Sequence, residues 1–171
     1  MTEKRIIHCN KTQVIACHRI FAEDLNEHQT LFGGRILDFV DRQASVSAMR
    51  VARTTVVTAT VDHVDFIAPF KIQDSMCLHS YVTGMGHRSL EVFAKMIGEN
   101  LSTGDRFLGF TCFMTFVIDD KNISLPDSQL VPDTKEQETL CAGYDQRVAL
   151  RRQTRNLQGD LGTIISTDLP W

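Results

Sequence analysis

Between residues 34 and 118 the apolar residues change their spacing once, from intervals of three and four to intervals of two. That change constrains the chain to one long helix buried against a sheet. After Gly34 no Gly or Pro interrupts the run to Ala52, and Leu37, Val40, Ala44, Ala48 and Val51 recur at helical spacing. From Thr54 the period becomes two. Thr54–Phe66 and Ser75–Thr83 are rich in strand-forming residues, Leu90, Val92, Ala94 and Met96 alternate with Glu91, Phe93, Lys95 and Ile97, and Phe107–Ile118 forms a fourth run. The breaks fall at Ala68-Pro69, at Gly84-Met85-Gly86 and between Asn100 and Gly104, all with turn chemistry. Thr12–Phe21, ahead of the helix, also reads as a strand. Strand, helix and four meandering strands bury one another's apolar faces only if an antiparallel sheet curls around a long central helix, an α+β fold. Small residues at Ala44, Ser45, Ser47 and Ala48 let the sheet come close.

A chain of 171 residues holds one domain and a tail. The domain is expected over 1–121, with its core from about residue 12. Residues 122–171 supply a linker, a C-terminal helix and a tail: the composition turns polar at Asn122, with Pro126 and Pro132 following, and Asp133-Thr134-Lys135-Glu136 resembles a capping box. Arg147, Arg151, Arg152 and Arg155 collect near the end of that helix, where its dipole favours them, and read as a solvated face or a subunit contact. Gly159–Trp171 reads as a loosely held tail.

The formal net charge of −3, from 18 basic and 21 acidic side chains, provides no cationic field for nucleic acid. No segment approaches the ~20 apolar residues of a membrane span, and none near the start resembles a signal peptide's central region. A cytoplasmic protein without membrane or nucleic-acid partners is expected. Cys9, Cys17, Cys77, Cys112 and Cys141 are odd in number, scattered and without a CxxC pair, so all are expected as reduced thiols. The histidines show no HxxxH spacing, and a lone one such as His63 reads as structural, so neither metal nor other cofactor is called for. No GxSxG nucleophile elbow occurs.

The segment from Asp24 to Asp41 carries the chemistry. Asp41 follows Gly34 by seven residues, two helical turns, which aligns it with Gly34, Leu37, Ala44 and Ala48 on the seam expected to face the sheet. An acid there is either a carboxylate held by a hydroxyl such as Ser45 or a general base, and spacing leaves both open. Asp38, with Arg42 four residues on, reads instead as a surface ion pair. Gly33-Gly34 opens the helix without side chains, so the amides of Gly34 and Arg35 can polarise a substrate carbonyl while Asp41 directs water; alternatively the glycines only start a helix in a tight space. In Gly84-Met85-Gly86-His87-Arg88-Ser89, amides, a guanidinium and a hydroxyl could hold a diphosphate, or form a plain hairpin with a surface Arg.

Asp24-Leu25-Asn26, Leu31-Phe32-Gly33-Gly34 and Asp41 together resemble the hotdog-fold acyl-CoA thioesterases of the acyl-CoA hydrolase type. The resemblance continues through Asp65-Phe66 and Pro69, similar to the family's strand-end motif near bound coenzyme A, through the glycine loop before Ser89, and into a C-terminal helix ending in arginines, from about Thr12 to Arg155. It departs at Gln29-Thr30, where many relatives carry Gly and then Asp or Asn, and at Arg42, where small or acidic residues are common.

The resemblance implies a single hotdog domain that hydrolyses acyl-CoA to a carboxylic acid and coenzyme A. Asp41 is then base or nucleophile, with Asn26, Gly34 and Arg35 at the thioester, and Asp65, Phe66, Pro69, Gly84, Gly86, Arg88 and Ser89 at the coenzyme. It also implies a homo-oligomer, either a dimer or a hexamer built as a trimer of dimers, with sites between subunits. Hotdog dehydratases carry a catalytic His, which Gly34–Ala52 lacks. The alternative is a hotdog sensor that binds acyl-CoA without turnover. Such regulators place a DNA-binding module first, and only about eleven residues precede the first expected strand. A purely structural subunit would not need an acid on the helix seam.

Overall fold

The structure is a computed structural model that describes residues 4–157, 159 and 161–168. The expected loose tail therefore lies partly outside the described residues, and the part described from Thr163 to Asp168 is exposed. The elements run β1 (Arg5–His8), β2 (Val14–Arg19), α1 (Gly33–Ala52), β3 (Val56–Phe66), β4 (Asp74–Met85), β5 (Ser89–Asn100), β6 (Arg106–Ile118), β7 (Ser128–Val131), α2 (Lys135–Ala142), α3 (Tyr144–Leu157) and α4 (Leu161–Ile164). Among them no helix is long and apolar enough to cross a membrane.

Five strands form one antiparallel sheet in the order β2-β4-β5-β6-β3, and α1 touches all five. The predicted sheet wrapped around a central helix is thus what the chain forms. Helix α1 buries Ile36, Val40, Ala44, Ser47, Ala48 and Val51 against Leu78, Val92, Met96, Phe110 and Phe116. Burial of each larger apolar side chain there contributes roughly 1.5–3 kcal/mol. Ala44 and Ala48 have no accessible surface, so a bulkier residue at either would push helix and sheet apart.

The outer face of the sheet is covered as well. Cys9, Tyr81, Phe93 and Phe113 form a second buried cluster, closed by Leu130, Leu140 and Cys141. Adjacent residues of β5, Val92 and Phe93, are consequently both buried, on opposite faces.

Four features correct the sequence reading. Strands β1 and β7, four residues each, were not expected: they pair in parallel, Arg5 opposite Ser128 through His8 opposite Val131, inside stretches read as a lead-in and a linker. Segments that short carry too little periodicity to register. The C-terminal helix is two helices, broken at Gly143, with Thr134 capping the first by accepting a hydrogen bond from the Gln137 amide at 3.2 Å. The cysteines are not all reduced, because Cys17 and Cys77 lie opposite each other across β2 and β4 and form a disulfide. No spacing signal links two cysteines 60 residues apart; only strand register brings them together.

The fourth correction concerns two of the four arginines read as a solvated face or a subunit contact, Arg147 and Arg151; Arg152 and Arg155 are exposed. Glu91, on the outer face of β5, is 1% exposed and receives both Nε and Nη2 of Arg147, Nη2 of Arg151 at 2.6 Å and the Thr83 hydroxyl at 2.7 Å. Arg151 also reaches Asp62 at 3.2 Å, and Arg147 lies 4.0 Å above the Phe113 ring. Helix α3 is thereby fastened to the sheet by a nearly dry ionic clamp. Gly84 lies under the same helix, where a Cβ would come within 1.9 Å of the Tyr144 ring.

Candidate active site

The turn before α1 is organised by Asn26. Its Oδ1 accepts from the backbone amides of His28 (2.9 Å) and Thr30 (3.2 Å) and from the Thr30 hydroxyl, an Asx-type arrangement that leaves the side-chain Nδ2 of Asn26 without a partner among the described residues. Short bridges join Leu25 to Leu31 and Thr30 to Lys71, fixing the approach to the helix. Phe32, extended, caps α1, and the carbonyl of Phe32 accepts from the amides of Arg35 (2.8 Å) and Ile36 (3.3 Å). The expected amide pair is therefore shifted by one residue. The Arg35 amide is consumed within the first turn, whereas those of Gly33 and Gly34 have no acceptor among the described residues.

Asp41 also departs from expectation. It is exposed in the single chain, not on the buried seam, and Leu37 on the same stripe is 39% exposed. The buried stripe is centred on Val40 and Ala44, and one residue further on is ~100° around the helix. Ser45 does not hold the carboxylate, since its hydroxyl donates to the Arg42 carbonyl. The partner is Thr58 of β3, which the sequence reading missed: its Oγ1 donates to Asp41 Oδ1 at 2.6 Å. Asp38 pairs with Arg42 at 2.9 Å on the surface, as expected.

A bulge explains why Thr58 faces α1. Thr58 pairs with Phe116 and Thr60 with Thr115, leaving Ala59 out of register. Phe116 belongs to the inner core while Thr115 lines the outer face, so the bulge sends Thr58 and Thr60 to opposite sides of the sheet.

The expected coenzyme residues separate into two places. Phe66 and Pro69 line a cavity of about 270 Å³ with Gly33, Leu31 and Ile36, beside the free amides at the start of α1. Gly86 and Ser89 line another, of about 310 Å³, on the outer face beneath α3. Three residues lie in neither cavity. Asp65 is exposed on β3, Gly84 is covered by Tyr144, and Arg88 turns its Nη2 to the carbonyls of Ile118 (2.8 Å) and Asp120 (3.0 Å), tying the start of β5 to the end of β6. The guanidinium assigned to a diphosphate is thus committed to backbone.

The profile described as thioesterase superfamily matches residues 28–103. The chain is 42% identical to a Bacillus subtilis protein named as the uncharacterized acyl-CoA thioester hydrolase YkhA, over 95% of both chains. Among solved structures it is similar to an acyl-CoA hydrolase from Bacillus cereus (TM-score 0.87, 35% identity, 95% of this chain and 99% of the other). It is also similar to a protein described as a hexameric acyl-CoA thioesterase (TM-score 0.82, 31% identity, 88% and 97%).

Proposed function

Because the chain belongs to the acyl-CoA hydrolases of the thioesterase superfamily, we propose that it cleaves acyl-CoA to a carboxylic acid and coenzyme A with Asp41 acting on the attacking water. The observation that carries this reading is the 2.6 Å hydrogen bond from Thr58 to Asp41, on a helix whose first two amides are free. The Thr58 hydroxyl occupies Oδ1 and sets the carboxylate plane, so Oδ2 is the oxygen that meets water. The amides of Gly33 and Gly34, with Asn26 Nδ2, which has no partner among the described residues, supply donors for the thioester oxygen as it becomes negative. Asp41 takes a proton as water adds to the carbonyl carbon, and returns one to sulfur as the C–S bond breaks. Direct attack by Asp41, through an anhydride that water then opens, uses the same groups.

Removing the orienting bond tests the arrangement without touching the acid. Thr58→Val is expected to lower kcat about tenfold or more, since a hydrogen bond to a charged group contributes roughly 1.5–3 kcal/mol. KM should change little, and Thr58→Ser should restore most of the rate. Wild-type kcat in Thr58→Val would remove Thr58 from the mechanism.

The reading includes a homo-oligomer, a dimer or a trimer of dimers, with sites between subunits. Among the described residues strand β3 ends the sheet with an unpaired edge, and Val57, Val61, Val64 and Phe66 along it are exposed, Phe66 by 57%. A bare apolar edge of that length invites a second copy, which would also cover Asp41. Light scattering during turnover is expected to report an oligomer; a fully active monomer contradicts this part of the proposal.

A further inference from the structure

The outer-face cavity contains more positive charge than the fold requires. Glu91 and Asp62 are matched by Arg147 and Arg151, two charges of each sign. Arg152 and Arg155 line the same cavity, yet neither has a carboxylate or hydrogen-bond partner among the described residues. Three residues apart on α3, they project on neighbouring faces, a like-charged pairing that costs a helix stability unless an anion lies between them.

The remaining lining is suited to such an anion. Thr115 Oγ1 is buried with no hydrogen-bond partner among the described residues, an uncommon state for a hydroxyl in a folded protein. Beside it on the same wall of the sheet, Thr60, its cross-strand partner, and Ser89, opposite Val117, also line the cavity with hydroxyls unengaged among the described residues. Ala59, Val117, Val148 and the Tyr144 ring supply an apolar wall. Two guanidiniums and three hydroxyls around one space match the many acceptor oxygens of a phosphate ester, and the apolar wall suits an attached sugar and base.

We propose that the cavity beneath α3 binds the phosphates of a nucleotide-bearing ligand, with Arg152 and Arg155 as the charge partners. This rests on the acyl-CoA reading in that the substrate itself carries such phosphates. It assigns their recognition to the C-terminal helix and not to Arg88, whose guanidinium is held by backbone carbonyls.

The test compares wild type with the Arg152→Ala/Arg155→Ala double variant on the acyl-CoA turned over fastest in a chain-length scan and on the matching acyl-pantetheine, which lacks phosphates. KM for acyl-CoA is expected to rise on the order of tenfold for each arginine lost, with kcat within about twofold and KM for acyl-pantetheine unmoved. Replacement of both by Lys, which keeps charge without the planar fork, should restore part of the affinity. If neither KM moves but calorimetry shows inorganic diphosphate binding to wild type and not to the double variant, the phosphate site stands and its occupant is a molecule other than the substrate. Unchanged KM together with unchanged diphosphate binding overturns the proposal, as does an equal rise in KM for both substrates. Calorimetric titration of Asp41→Asn with coenzyme A separates this inference from the catalytic one, because phosphate binding is expected to persist there whatever happens to kcat.

Discussion

Asp41→Asn is expected to lower kcat by on the order of 10²–10⁴ while leaving KM nearly unchanged, the usual share of a general base. The substitution keeps the shape and allows Asn Oδ1 to accept from Thr58 as the carboxylate does, so a loss of rate reports basicity and not a collapsed pocket. Rate alone does not separate a base from a nucleophile. In a single turnover in oxygen-18 water with enzyme in excess, label found in Asp41 identifies the anhydride route, whereas label found only in the released acid is given both by direct attack of water and by an anhydride opened at its acyl carbon. If Asp41→Asn shifts the melting temperature and leaves kcat within a few-fold of wild type, the carboxylate is structural and the mechanism is wrong.

Glu91→Gln is expected to be the most damaging single change to stability. It preserves volume and removes the carboxylate that Arg147 and Arg151 share, leaving Arg151 with Asp62 alone and Arg147 with no counter-charge among the described residues; their side chains are only 15% and 11% exposed. Breaking a buried ion pair by removing one partner costs about 3–5 kcal/mol, because a guanidinium is left desolvated without a counter-charge. For a chain of this size that corresponds to a fall in melting temperature on the order of 10 °C. Hydrogen exchange should locate the loosening first in α3. A shift of about 2 °C or less would mean that water already solvates these arginines and that apolar contacts hold the helix.

The parts of the fold legible in advance were those with long, uniform periodicity. Gly34–Ala52 contains the helix to within a residue of its observed start, and the four later strands fall where alternation placed them, because a single burial pattern repeats over a dozen residues. Glu91 was already visible on the face opposite Val92, although its arginine partners lie 56 and 60 residues away and could not be paired from spacing. Thr58 was hidden for a different reason. Strict alternation puts residues 58 and 60 on one face, and nothing in Val-Thr-Ala-Thr announces the bulge that parts them. Asp41 was misjudged by a single step around the helix: a two-turn spacing from Gly34 fixes its azimuth relative to the glycine, not relative to a sheet whose centre lies over Val40.

The parallel pairing of β1 with β7 bears on how the protein is made. Antiparallel neighbours such as β4, β5 and β6 can join as soon as each hairpin leaves the ribosome, but Arg5–His8 must wait for Ser128–Val131, more than a hundred residues later. Closing so long a loop is entropically slow and comes late. During that interval Ile7, buried in the finished fold, has no strand to lie against, and the outer cluster around Cys9 and Phe93 lacks Leu130. A chain at that stage exposes an apolar face that the finished fold covers, and exposed apolar surface of that kind favours aggregation.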